Sequence, residues 1–164
     1  MYILLNVVLY QAVWFLCVFK ENQGGVIALA LLIVHLYFSP CRVKDLRMMV
    51  FLLAIGALID GTLYLAGFMT YNVRALPIPL WLAVVWLALA TLPHHSLRWL
   101  KGRLVLASLF GAMGGPLAYW AGVKAGAANF TLPLISSLIL LSLIWGVLWP
   151  FTMYIADKDL PKNE

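Results

Sequence analysis

The chain has 164 residues, 65% of them hydrophobic and 10% charged, with three histidines, two cysteines and a formal net charge of +5. A soluble domain carries roughly 25% charged and 45–50% apolar residues, so lipid is the solvent these side chains are built for. The basic residues sit in short stretches between apolar runs, which points to orientation in a membrane and away from nucleic acid as a partner.

About 20 apolar residues carry a helix across the hydrocarbon of a bilayer. Six such segments follow in order, at 2–19, 24–38, 48–68, 78–96, 104–123 and 132–155. The expected fold is therefore all-α and integral to the membrane. It is one six-helix transmembrane domain over residues 1–156, followed by a short polar cytoplasmic tail at 157–164. The runs are too long and too continuously apolar for barrel staves, and helices satisfy their own backbone in lipid, so strands are not expected. The first run lacks a basic leader and a small-residue cleavage pattern, and reads as a retained helix. Cys17 and Cys41 fall near opposite faces of the bilayer, too far apart for a disulfide.

Charge orients the segments. Arg42, Lys44, Arg47, Arg98, Lys101, Arg103, Lys158 and Lys162 fall on one side, and Lys20, Arg74 and Lys124 on the other. The positive-inside rule then places both termini in the cytoplasm.

An internal echo runs through the chain. Residues 56–67, with Gly56, Ala57, Tyr64, Ala66 and Gly67, are matched at a constant offset of 55 residues by Gly111, Ala112, Tyr119, Ala121 and Gly122. The alignment extends over 26–67 and 81–122, which predicts a repeated helical hairpin formed by helices two-three and four-five. The sixth helix, entered through Leu132-Pro133, loosely resembles the fourth, entered through Leu76-Pro77. Gly111, Gly114, Gly115, Gly122 and Gly126 give the fifth segment a small-residue surface on which a neighbour can approach closely. Gly115-Pro116 predicts a kink or interruption there.

Asp60 is the one acidic residue inside these six segments. A carboxylate at mid-depth costs several kcal/mol by insertion scales, so it needs a partner, a proton or a wet cavity. Asn6, Gln11, Thr62, Tyr64 and Tyr119 are candidate partners. Asp60 reads either as an interhelical hydrogen-bond anchor or as a buried general acid or proton relay. His94, His95 and Ser96 end the fourth segment, and His35 the second, all toward the cytoplasmic side. Three imidazoles could hold a metal, with Cys41 or water completing the set. Adjacent histidines on an α-helix point about 100° apart, however, so no metal ligand is assigned, and no cofactor-binding residue either. Asp60, His94 and His95 are the candidate catalytic residues. Trp86, Tyr64 and Tyr119 are candidate substrate contacts, with Arg98 and Trp99 forming a basic-aromatic edge for an anionic headgroup. Nucleophile elbows, phosphate loops and His-Glu-x-x-His pairs are absent from the sequence.

The motifs Gly-Ala-Leu-Ile-Asp-Gly-Thr-Leu, Leu-Pro-His-His-Ser-Leu-Arg-Trp-Leu and Gly-Gly-Pro-Leu-Ala-Tyr-Trp-Ala-Gly, in this order, resemble a family of small bacterial inner-membrane proteins. That family is the domain of unknown function numbered twenty-eight seventy-eight. The resemblance implies a multi-pass protein of the bacterial inner membrane. It also implies lipid-related work, because members of the family are encoded near fatty-acid-modifying enzymes of the cyclopropane-synthase type. Three functions stay open: binding or modifying an acyl or isoprenoid lipid, transport or lipid translocation, and a non-catalytic scaffold. Expected partners are membrane lipid, and a second copy of the chain or a lipid-modifying enzyme. The cofactor, and whether the protein is an enzyme at all, are left undecided by the sequence.

Overall fold

A computed structural model describes residues 2–73 and 77–158. Arg74, Leu76 and Lys162, which enter the charge and repeat readings, lie outside the described residues, as does the tail beyond Lys158. The elements in chain order are α1 (Tyr2–Phe38), α2 (Arg42–Leu65), β1 (Met69–Tyr71), α3 (Leu80–Leu89), 3-10 turns at Leu92–His94 and Arg98–Leu100, α4 (Leu104–Lys124), β2 (Ala128–Phe130) and α5 (Leu134–Lys158). The described residues thus hold five α-helices where the sequence led us to expect six, and four of them are long and apolar enough to cross a membrane. Their outward faces are apolar, with Leu65 75% and Val105 79% exposed, as lipid contact requires.

The first two expected segments both lie within α1, which is broken between them at Glu21, whose φ of 48° and ψ of −131° are not helical. In an unbroken helix Asn6 and His35 would lie about 43 Å apart. Asn6 instead bonds to Thr91 and Ser96, while the His35 ring packs on His95. The chain therefore folds back at Glu21, and α1 is a hairpin of two helical arms. Gly24 makes the reversal possible, because a Cβ there would overlap the Leu16 backbone. Glu21 is the one described non-glycine residue at positive φ, and its carboxylate accepts from Asn72 Nδ2 at 2.9 Å.

The fourth segment is not one long helix. α3 spans only ten residues. Pro93 cannot extend it, since proline lacks the N–H donor and its ring clashes with the carbonyl one turn back. The chain passes instead into the 3-10 turn Leu92–His94, and Thr91 Oγ1 donates back to the Ala88 carbonyl at 2.8 Å. The other corrections are smaller. α2 starts at Arg42 rather than at 48, α5 runs to Lys158, and Pro116 does not interrupt α4, which is helical from Leu104 to Lys124. Cys17 and Cys41 are both free.

Two short strands, unexpected from the sequence, join the ends of α2 and α4. Each helix is capped by an alanine, Ala66 or Ala125. A left-handed glycine follows, Gly67 at φ 71° or Gly126 at φ 85°, as helix termination favours. β1 and β2 then pair antiparallel, with Met69 opposite Phe130, Thr70 opposite Asn129 and Tyr71 opposite Ala128.

These matching ends are 59 residues apart, not 55. At an offset of 59, Thr70 corresponds to Asn129, Trp86 to Trp145 and Asp60 to Tyr119. All three pairs touch: the first is the centre of the strand pair, the second stacks at 5.3 Å with planes 9° apart, and the third is hydrogen-bonded at 2.6 Å. Equivalent residues meet each other only along a pseudo-two-fold axis. At this offset α2–β1–α3 is set against α4–β2–α5, and α2 and α4 both run toward the strands. The sequence echo is this repeat slipped by four residues. It sets Gly67, at the end of α2, against Gly122, inside α4. A slip of four is about one helical turn, which is why the apolar pattern survived it.

Candidate ligand cavity and two buried acids

Asp60 is fully buried in α2. Trp86 Nε1 of α3 donates to its Oδ2 at 2.7 Å, and the Tyr119 hydroxyl of α4 donates to its Oδ1 at 2.6 Å. One carboxylate thus ties three helices together, and each oxygen has a donor. Glycines make room for the rings: a Cβ at Gly56 would overlap the Trp86 indole, and one at Gly115 would overlap that of Trp145. Asp60 holds two aromatic walls in place and is not itself on the surface of the cavity they border.

That cavity has a volume of about 500 Å³ and is lined by α1, α3, α4, α5 and the strand pair. α1 packs chiefly on α3, and α4 on α5, and the cavity lies between these two pairs. Its walls are aromatic and apolar, with Trp14, Trp81, Trp86, Tyr119, Trp145 and Trp149 prominent. Along α4 it runs from Phe110 to Gly122, about 18 Å at 1.5 Å per residue. The small residues of α4 divide between two faces. Gly111 and Gly115 sit against Trp145 and Trp149 of α5, whereas Gly114 and Gly122 have nothing within 4 Å of where a Cβ would stand. Both of the latter line the cavity. At the strand end, Tyr71 also lines it. Burial, reinforced by the charge of Asp60, pushes the Tyr71 phenol well above its ordinary value, so it remains a protonated donor.

A second polar centre lies at the other end of α2. Asp45, in the first turn, is fully buried. Ser39 Oγ donates to its Oδ2 at 2.5 Å, and His95 Nε2 lies 2.9 Å from the same oxygen. His94 Nδ1 is 3.5 Å from Oδ1 and His35 Nε2 is 3.8 Å from Oδ2. All three histidines of the chain therefore converge on one carboxylate. The loop is tied down by the Cys41 N–H, which donates to Ser39 Oγ at 3.1 Å. Asn6 braces the histidine segment, donating to Thr91 Oγ1 at 2.7 Å and accepting from Ser96 Oγ at 2.6 Å.

The candidate residues read from sequence thus divide into separate places. Asp60, Trp86 and Tyr119 form one cluster, and His94 and His95 belong to the other. Asp45 and Asp60 are fifteen positions apart on α2, about 22 Å by helical rise, so Asp60 and the histidines do not share a site. Tyr64 stacks on Tyr71 at 5.8 Å, outside the cavity lining. Arg98 is exposed on the second 3-10 turn. Trp99, also there, meets Phe110 edge-on at 6.4 Å. In the sequence Asp45 stands between the apolar segments, among Arg42, Lys44 and Arg47, where nothing marks it as part of a site. The convergence of His94 and His95 was missed because both were assumed to lie on an α-helix. In fact His94 ends a 3-10 turn and His95 has φ −122° and ψ −99°, which brings both rings to one carboxylate.

The model of a family described as protein of unknown function, DUF2878, matches residues 3–151. No curated protein and no solved structure shows significant similarity to the chain.

Proposed function

The chain belongs to the DUF2878 family, and we propose that it is a multi-pass membrane protein that holds one apolar chain, acyl or isoprenoid, in the cavity between α1–α3 and α4–α5. The observation that carries this reading is the cavity itself. Its volume of about 500 Å³ lies within the roughly 300–1,000 Å³ of ligand sites, and its mainly apolar, aromatic walls are of the kind such sites use. Gly114 and Gly122 keep it open along α4, and its length along the helix suits a chain lying with its neighbours in the bilayer.

The orientation we assign puts the Asp45 end in the cytoplasm of a bacterium, with the inner membrane as its site. Arg42 and Arg47 flank Asp45 in sequence, Arg98 follows His95 on the turn, and Lys101 donates to the Ala156 carbonyl at 2.8 Å. These basic residues therefore gather at one end of the helices, as the positive-inside rule requires. The opposite end carries the Glu21–Asn72 contact and the strand pair.

Two other readings draw less support. Transport through a break at Gly115-Pro116 draws less support because α4 is helical from Leu104 to Lys124. A scaffold face on α4 loses Gly111 and Gly115, which already receive α5. The test is untargeted lipid mass spectrometry on cells lacking the protein, complemented at equal expression with wild type or Gly122→Leu. A lipid species restored by wild type alone supports the proposal. Equal restoration by both, or no change on deletion, refutes it.

A further inference from the structure

We propose that His35, Asp45 and His95 form a binding site for a divalent transition metal, at the basic end of the helices and separate from the apolar cavity. Two imidazole nitrogens and one carboxylate oxygen, with all ligating atoms within 4.8 Å of one another, make up the set. A tetrahedral ion with ligands at about 2.0–2.1 Å places them about 3.3 Å from each other. His95 Nε2 and His35 Nε2, at 2.9 and 3.8 Å from Asp45 Oδ2, bracket that value. Small ring rotations would therefore seat an ion.

The bonding inventory points the same way. Asp45 is entirely buried, yet among the described residues its Oδ1 meets only His94 Nδ1, at 3.5 Å and without hydrogen-bond geometry, and His35 Nε2 reaches Asp45 only at 3.8 Å, likewise without a hydrogen bond. Buried polar atoms left unsatisfied call for an explanation such as an ion or water, and a cation between these residues gives His35 Nε2 the partner it lacks and neutralises the buried carboxylate. The donor chemistry selects the ion, since imidazole with carboxylate suits zinc or iron(II), while magnesium and calcium prefer oxygen throughout. With three protein ligands the ion keeps an open position for water or substrate. Ser39 Oγ, donating to Asp45 Oδ2, orients the carboxylate from behind. Proton balance is simple. Without metal, His95 Nε2 donates its proton to Asp45; the ion takes that nitrogen's lone pair and the proton leaves to solvent.

The test uses full-length protein in detergent, purified without a histidine tag, stripped with chelator and titrated with Co²⁺ and with Zn²⁺. Wild type should develop cobalt d–d absorption that saturates at one ion per chain and is displaced by Zn²⁺. Thermal unfolding should rise with either metal. His35→Ala and His95→Ala should each lose that absorption, and Ser39→Ala should weaken binding by about 10–100-fold. Gly122→Leu, which alters only the cavity, should bind metal as wild type does. Wild type that never saturates at one equivalent, or unchanged affinity in both folded histidine variants, overturns the proposal. Failure here leaves the lipid reading standing, because the two sites share no residue.

Discussion

Asp60 and Tyr119 occupy equivalent places in the two halves of the molecule and hydrogen-bond to each other at 2.6 Å. Trp86 donates to the other carboxylate oxygen at 2.7 Å, so each oxygen of the buried acid is held by a donor from a different helix. Asparagine can still accept from the indole and donate its amide hydrogens to the phenol oxygen. Asp60→Asn should therefore unfold within about 1 kcal/mol of wild type. Asp60→Leu leaves two buried donors without an acceptor, at about 1–3 kcal/mol each when unsatisfied, though polar contacts between membrane helices measure lower, about 0.6 on average. We expect a net loss of about 1–3 kcal/mol. Thermal or denaturant unfolding in micelles checks this, and equal damage from both substitutions would show that the charge itself is required.

The glycines of α4 separate packing from cavity. Gly115→Val should be destabilising by about 1–3 kcal/mol or more through overpacking, because a Cβ there would enter the Trp145 ring. Gly56→Val should do the same against Trp86. Gly114→Ala and Gly122→Ala meet nothing within 4 Å, and in a helix interior alanine gains up to about 1 kcal/mol over glycine. Unfolding midpoints of the four variants should thus fall into two groups, two lowered and two unchanged or raised.

Asn6 joins the first arm of α1 to the segment that carries the histidines. It donates to Thr91 Oγ1 at 2.7 Å, and Ser96 donates to it through Oγ at 2.6 Å and through N at 3.2 Å. Asn6→Ala leaves the Ser96 hydroxyl and amide without this acceptor. About 1–3 kcal/mol of stability should be lost. Hydrogen exchange should accelerate at Ser96 and its neighbours more than in the strand pair, and uniform acceleration would refute this local role.

Much of the helical architecture was legible in the sequence because a bilayer leaves few alternatives to apolar helices. The polar gap at 20–23 separates the first two apolar segments in the sequence, and the chain does turn there within α1. Local chemistry was less legible. Pro93 stood in plain view, but the apolar run around it masked the end of α3. The repeat was visible only one turn out of register, because Gly67 and Gly122 look alike in sequence while only Gly67 has a positive φ. Asp60 was found because it is alone in an apolar run. Asp45 was overlooked because three basic residues surround it in sequence, although in space its neighbours are three histidines and a serine. Sequence distance hid that cluster: His35 and His95 are sixty residues apart.

The central claim is that an apolar chain occupies the cavity bounded by Trp86, Tyr119 and Trp145. Native mass spectrometry of the detergent-solubilised protein tests it most directly, comparing wild type with Gly114→Leu and Gly122→Leu. A Cβ at either position meets nothing within 4 Å and the rest of each leucine extends into the cavity that both glycines line, so both variants should fold. The account predicts that wild type retains one bound lipid under conditions that strip the detergent shell, and that both variants lose it while keeping their unfolding midpoint. A lipid retained equally by the filled variants, or none held by wild type, would contradict it.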